Sequence, residues 1–298
     1  GRFDRPVHHR IPRGLLALPQ VRKNAPQRGQ GSLPILWVGD AVDGKRDAAM
    51  RLDFYYWAAM CPLNMEMLAL LQAYSSRLEI HTYDISRQPD LAGRLRMFYP
   101  TLSVVNHRQR YFAPLRREFL ERLCQGELPR QVPYHPALGR TPVAGTVLPI
   151  TAENLDLAGS CTGCNGCRGW RQKAAFLEGM GLSVFGFLHM QEKRLLGGAE
   201  YVPSMQVPYA IPRDARKAFL TCVYLSDEAF DYKTTPLNAL EAYLGERYES
   251  ALVISDETGV FPNGDLTFFL LRGYQDLGVV AREGTYCTLH LLEKQLRT

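Results

Sequence analysis

No run in these 298 residues approaches the ~18 consecutive apolar residues of a membrane-spanning helix, so a soluble chain without a membrane partner is expected. The opening GRFDRPVHHR lacks the apolar centre of a secretory leader. Seven cysteines at irregular spacing do not make the even framework of a small secreted disulfide protein, and a reducing, cytoplasmic setting fits them better. Acidic residues are nearly missing from one end. Residues 1–30 carry seven basic side chains against Asp4 alone, whereas the other 268 carry 28 basic and 29 acidic. The net charge of +5 therefore belongs to an arm and not to the body. A basic arm suits an acidic protein partner or a second copy of the chain as a homodimer. No basic helix with interleaved aromatics follows it, so nucleic acid is not expected as a partner.

What is present is ordinary globular material, 46% apolar and 22% charged, enough for two domains. Residues 1–33 are rich in Pro, Arg, Gln and Gly and read as an arm without a core of its own. From residue 34 an α/β alternation begins. PILWV (34–38) reads as a strand and DGKRDAAM (43–50) as a short helix. LDFYYW (52–57) is a buried strand, 62–74 an amphipathic helix, 78–85 a strand, and 88–99 a helix stopped by Pro100. Two short strands and a helix over 115–123 close the unit at residue 126. Helices spaced between strands in this way predict a mixed, mainly parallel sheet.

That order and the segment YYWAAMCPLNM (55–65) resemble the thioredoxin fold, whose W-A-x-x-C-x-x-C stands at a helix N-terminus. The resemblance covers residues 34–126. It implies that Cys61 is the attacking cysteine and that Pro100 belongs to the family's proline loop; Asn64 stands where the resolving cysteine would be. Independently of family, a cysteine at a helix N-terminus meets free N–H groups and a positive dipole end, which predicts a depressed thiol pKa. With no cysteine at 64, Cys61 is left to mixed disulfides or a remote thiol. The other reading keeps the fold as a scaffold, with Cys61 a residual core residue.

Residues 127–147 hold four prolines and read as a semi-extended linker. The second unit, 148–298, runs through a helix over 171–180, strands over 183–191, 195–202 and 218–225, a helix over 236–246, a strand over 251–255, a helix over 265–272 and a final strand pair. It resembles a GNAT-type (GCN5-related) N-acetyltransferase, carried by LLGGAEYVP (195–203), FLTCVYLSDEAFDYKTTPLNALEAYL (219–244) and NGDLTFFLLRGYQDLG (263–278). The fold class expected is thus a thioredoxin-like mixed-sheet domain followed by a GNAT-like α/β domain. The second resemblance implies acetyl-CoA as cofactor and a small-molecule or peptide amine as acceptor, near Tyr201. It places the pantetheine arm along Val223 and Leu225 and the pyrophosphate against Lys233, Thr234, Thr235, Leu237 and Asn238. The loop 231–236 departs from the family in having no glycine. The family's phenolic acid falls on Phe269, so Tyr274, Tyr286 or a cysteine would have to protonate the leaving thiolate, or the reaction would run without that acid.

Between the units lies GSCTGCNGCRGW (159–170). Cys161, Cys164 and Cys167 are spaced as metal ligands, which suits zinc or an iron–sulfur cluster, with a fourth ligand from Cys222, Cys287, His189, Cys61 or solvent. The same turn could instead be a redox thiol site exchanging with Cys61, or cysteines packing a tight Gly-rich turn. Two functions follow: a CoA-dependent acyltransferase, or a thiol-redox or metal protein on the same scaffold.

Overall fold

The structure is a computed structural model that describes residues 50–135, 139–161, 166–225, 229–260 and 263–297. The arm and the expected elements at 34–38 and 43–50 lie outside the described residues. The first sheet is built from β1 (Arg51–Tyr56), β2 (Glu79–Asp84), β3 (Thr101–Val105) and β4 (Gln109–Tyr111), in the order β2-β1-β3-β4. β1 and β2 are parallel, while β3 runs antiparallel to both β1 and β4. Helices α1 (Leu63–Tyr74), α2 (Pro89–Arg94) and α3 (Arg117–Cys124) connect and close it. The continuous apolar run of β1 is explained by its central place, where Leu52 and Phe54 are buried. α2 ends five residues short of the expected 99. Arg96 takes a left-handed φ of +47°, which breaks the helical path before Pro100 can.

The second sheet has seven strands: β5 (Thr146–Ile150), β6 (Gly186–Gln191), β7 (Arg194–Pro203), β8 (Lys217–Leu225), β9 (Ser250–Asp256), β10 (Gln275–Glu283) and β11 (Cys287–Gln295). Their order is β5-β6-β7-β8-β9-β11-β10. Every pairing in it is antiparallel except β8 with β9. That one parallel pairing needs a crossover, and α5 (Thr234–Gly245) supplies it. A 3₁₀ turn (Leu155–Ser160) leads through the cysteine segment to α4 (Trp170–Glu178), and α6 (Leu266–Leu271) follows β9.

Two separate cores were expected from the two patterns. Each sheet has such a core, around Leu52, Phe54 and Leu71 in the first and Leu220, Leu237 and Val253 in the second, and a third apolar cluster joins the two, from Trp57, Phe98, Tyr99 and Leu102 to Phe185, Leu188, Phe219 and Ile254. Residues 47–298 form one compact unit. Contact between the modules is close enough to require glycine at one point. A Cβ on Gly169, just before α4, would lie 2.2 Å from the Pro62 carbonyl oxygen. α4 is thereby drawn against the N-terminus of α1, where Cys61 sits. No helix among the described residues is long and apolar enough to cross a membrane.

Candidate functional site

The turn between β1 and α1 is held by Asn64. Its side chain is fully buried and donates to the carbonyls of Ala58 at 2.8 Å and Trp57 at 3.4 Å. Ala58, with φ +35°, further gives its N–H to Asp84. The position where the resemblance led one to look for a second thiol is thus a staple for the loop. Trp57 N–H bonds the Pro100 carbonyl at 3.0 Å, which sets Pro100 beside the same turn.

Cys61 emerges from this turn into a cavity of about 50 Å³ that both modules line. The first contributes Met60, Cys61, Pro62 and Pro100. From the second come Cys161, Lys173, Glu200, Thr221, Cys222 and Tyr224. β8 reaches it through a bulge: Glu200 pairs with Cys222 and Tyr201 with Leu220, leaving Thr221 as the extra residue. The bulge turns two successive side chains, Thr221 and Cys222, toward one space. Three cysteine side chains that are 100 and 61 residues apart in sequence thus face each other, together with one buried ion pair, Lys173 Nζ to Glu200 Oε2. Tyr224 adds a buried hydroxyl with no hydrogen-bond partner.

Burial decides the state of these thiols. Cys61 is pushed up to about 12, first by desolvation and next by the neighbouring Cys161; the Leu63 N–H and Lys173 pull the other way and are outweighed. The Cys222 thiol is raised well above its ordinary value for the same leading reason. The expected depression of the Cys61 pKa is therefore corrected. The helix N-terminus is present, but the second module covers it and removes the water that a thiolate needs. At neutral pH the resting site holds thiols.

The metal expectation does not fit. Cys167 is disulfide-bonded, and a disulfide sulfur offers no thiolate to zinc or to iron. Among the described residues no group of three or more His, Cys, Asp or Glu is placed to hold a metal ion. Cys164 lies outside the described residues. Cys61, Cys124, Cys222 and Cys287 are free. His189 is buried on β6 with both ring nitrogens unpartnered, and Cys287 accepts the Tyr99 hydroxyl at 3.2 Å.

The residues expected to hold CoA occupy a second place. β8 and β9 pair only from Lys217–Ser250 to Leu220–Val253, although both strands run on. In the gap the Val223 N–H is taken by Asn263 Oδ1 at 2.9 Å, and Asn263 Nδ2 donates to Ile254 O at 2.9 Å. Lys233 is buried, not exposed to a phosphate. Its Nζ donates to the Asn263 carbonyl at 2.8 Å and lies over the rings of Phe268, Phe269 and Tyr232. Asp231 Oδ1 accepts the Lys233 and Thr234 N–H groups, filling the anion position at the α5 N-terminus. Leu225 and Leu237 are core residues. Thr235 lies in the first turn of α5, and Asn238 bonds Arg272. Neither expected phenolic acid lines the thiol cavity. Tyr274 donates to Glu241 at 3.0 Å inside the α5 cluster, and Tyr286 packs on Phe112. Tyr224 is the tyrosine that reaches the cavity.

Burial lowers the Lys233 pKa to about 8, against the pull of Asp265 and Asp231. A lysine with a folded pKa below its unfolded value destabilises the fold while it is charged. Stability should therefore rise as pH passes from about 8 to about 10.4, the unfolded lysine value. Thermal melts across that range should show this rise in the native chain relative to Lys233→Met, in which the lysine contribution is gone. Equal pH slopes in the two proteins would contradict the assignment.

No family model matches the chain, and neither does any curated protein. Several solved structures are similar to it in chain path. One is an N-acetyltransferase from Staphylococcus aureus Mu50, 12% identical, covering 52% of this chain and 99% of that one at a TM-score of 0.39. Another is Ard1 from Thermoplasma volcanium, 11% identical over 51% of this chain and 98% of that one, TM-score 0.37. A third is yncA, a putative acetyltransferase from Salmonella typhimurium with acetyl-CoA, 10% identical over 52% and 95%, TM-score 0.35.

Proposed function

We propose that this chain is a thiol–disulfide protein in which a thioredoxin-like module docks its cysteine into a GNAT-like scaffold. One observation carries the reading: Cys61 of the first module and Cys161 and Cys222 of the second line a single cavity. The β2-β1-β3-β4 order, Cys61 before α1 and Pro100 before β3 support the thioredoxin-like assignment of the first module. In the reaction, the Cys61 thiolate attacks a disulfide of a small partner. One partner sulfur leaves as a thiolate, and Cys61 is held in a mixed disulfide. Cys161 or Cys222, as thiolate, then attacks Cys61 Sγ and releases the second partner thiolate. The partner gains two electrons and the chain is left with one internal disulfide. A cavity of about 50 Å³ has room for a few waters only, so the partner must be small or must part the modules. The basic arm suits an acidic partner or a second copy.

Treating the full chain with a diazene oxidant and mapping its peptides without reduction should yield a Cys61–Cys161 or Cys61–Cys222 disulfide. Cys61→Ser should remove it. Finding Cys61 only as free thiol or glutathione adduct would sink the reading.

A second reading is favoured by the parting of β8 and β9: an acyltransferase that moves an acetyl group from acetyl-CoA to an amine, with Tyr224 in place of Tyr274 or Tyr286 as the acid. Acetyl-CoA would have to displace Asn263 from Val223 and Asp231 from α5. Calorimetry on the full chain separates the two. Micromolar binding supports the acyltransferase, whereas the thiol reading expects no heat at millimolar acetyl-CoA.

A further inference from the structure

The thiol cavity contains two charges that disulfide exchange does not itself require. Lys173 comes from α4 and Glu200 from β7; both are buried, and they pair with each other. Placing two charges against an apolar cavity costs desolvation that their mutual attraction only partly offsets. Among the described residues that line this cavity, the pair alone carries charge. Among the described residues, six titratable groups face Cys61. Cys161 comes from the end of the 3₁₀ turn, Cys222 and Tyr224 from β8, Tyr209 from the segment before β8, and Lys173 and Glu200 from α4 and β7. At rest Cys61, Cys222, Tyr209 and Tyr224 are neutral, burial raising each of them, and the ion pair cancels.

We propose that the Lys173–Glu200 pair is the charge switch of the thiol cavity: at rest its two charges cancel, and when Glu200 takes up the Cys61 proton the Lys173 ammonium changes partner to the Cys61 thiolate. The proton leaves Sγ and enters the carboxylate, so the cavity stays neutral overall. Loss of that proton to water would instead leave a net negative charge in a nearly dry space. The electrostatic influences agree in sign: Lys173 favours the Cys61 and Cys222 thiolates and Glu200 opposes them. Lys173 and Glu200 act here as positioning residues, through the sulfur that reacts. This proposal rests on Cys61 being the reactive thiol.

Charge counting gives opposite signs for the two single variants. In Glu200→Gln, ionising Cys61 forms a neutral Lys173–thiolate pair, so the pH at which Cys61 reacts should fall. In Lys173→Met, ionisation sets a second negative charge beside Glu200, so that pH should rise. Methyl methanethiosulfonate, a small probe, is added to the full chain across pH 6–10, and Cys61 modification is followed by peptide mass. At pH 8 Glu200→Gln should react at least about tenfold faster than the native chain and Lys173→Met at least about tenfold slower, one pH unit being tenfold in thiolate. Lys173→Arg, which keeps the charge, should stay near the native rate and serves as the folded comparison for Lys173→Met. Shifts of the same sign in both single variants, or rates unchanged in variants with native circular dichroism, would overturn the switch. Failure of the underlying reading looks different: the native chain then forms no Cys61 disulfide with the oxidant, whatever the variants do.

Discussion

Lys173→Met is expected to lower unfolding stability by about 3–5 kcal/mol, since removing one partner of a buried ion pair strands the other charge. Glu200 is 3% exposed, and its carboxylate accepts from Lys173 Nζ. The double variant Lys173→Met/Glu200→Leu removes both charges and fills a similar volume. It should recover most of the loss, because the pair's attraction only partly offsets the cost of burying it. Urea unfolding of the three proteins decides the matter. A double variant as unstable as Lys173→Met would mean that the loss comes from packing of the lysine stem and not from the stranded charge. Together with the reactivity test, this separates what the pair does for the fold from what it does for the thiol.

The second large effect is expected at Asp256, at the end of β9. Its Oδ2 accepts the Thr258 N–H at 2.8 Å, the Thr258 hydroxyl at 2.7 Å and the Val260 N–H at 3.1 Å; Oδ1 accepts the Thr288 N–H at 2.7 Å. Three of these donors are backbone groups, and the carboxylate is buried. Asp256→Ala leaves them without a partner, at about 1–3 kcal/mol for each buried group left unsatisfied. Relaxation and water entry reduce the sum, so a total of about 3 kcal/mol or more is expected. Thr258→Ala removes one hydroxyl only and should cost about 1 kcal/mol. The ratio of the two, read from denaturant midpoints, is the check; equal costs would mean that the loop does not depend on the carboxylate. The loop matters because it delivers Asn263 to Val223 and Lys233. Loosening it should increase exchange of the Val223 amide.

Much of the architecture was legible as period and punctuation. The run 52–57 becomes the central strand β1 because a stretch that is apolar or aromatic at every position but Asp53 suits a strand with a neighbour on each side. α1, β8 and α5 fall within two residues of their expected bounds. α2 does not, because Arg96 takes its left-handed conformation from packing that no propensity contains. Of the site, Cys61 was legible from the strand–cysteine–helix order, and Cys161 from the cysteine turn. Lys173, Glu200 and Tyr224 were not. Each lies in a segment whose own pattern is unremarkable: one lysine on an amphipathic helix, one glutamate in a strand, one tyrosine beside a valine. Only the approach of α4 to the Cys61 loop, which Gly169 permits, gives the three a common purpose.

The sequence by itself determined which groups were available. It set a lone cysteine at the start of α1 with Asn64 where a second thiol would stand, a loop at 231–236 with an aspartate and no glycine, and a charge excess confined to the arm. Such facts are local: they depend on which residue occupies which position, and on the periods that make helices and strands. The tertiary structure decided what those groups are. Cys61 stands at a helix end that should favour a thiolate, yet the second module dries it and raises its pKa. Lys233 stands in a loop that suggests a phosphate ligand, yet it is roofed by three rings and bound to a carbonyl. Desolvation depends on everything within several ångströms, whichever part of the chain supplies it, and no stretch of sequence read alone contains that sum.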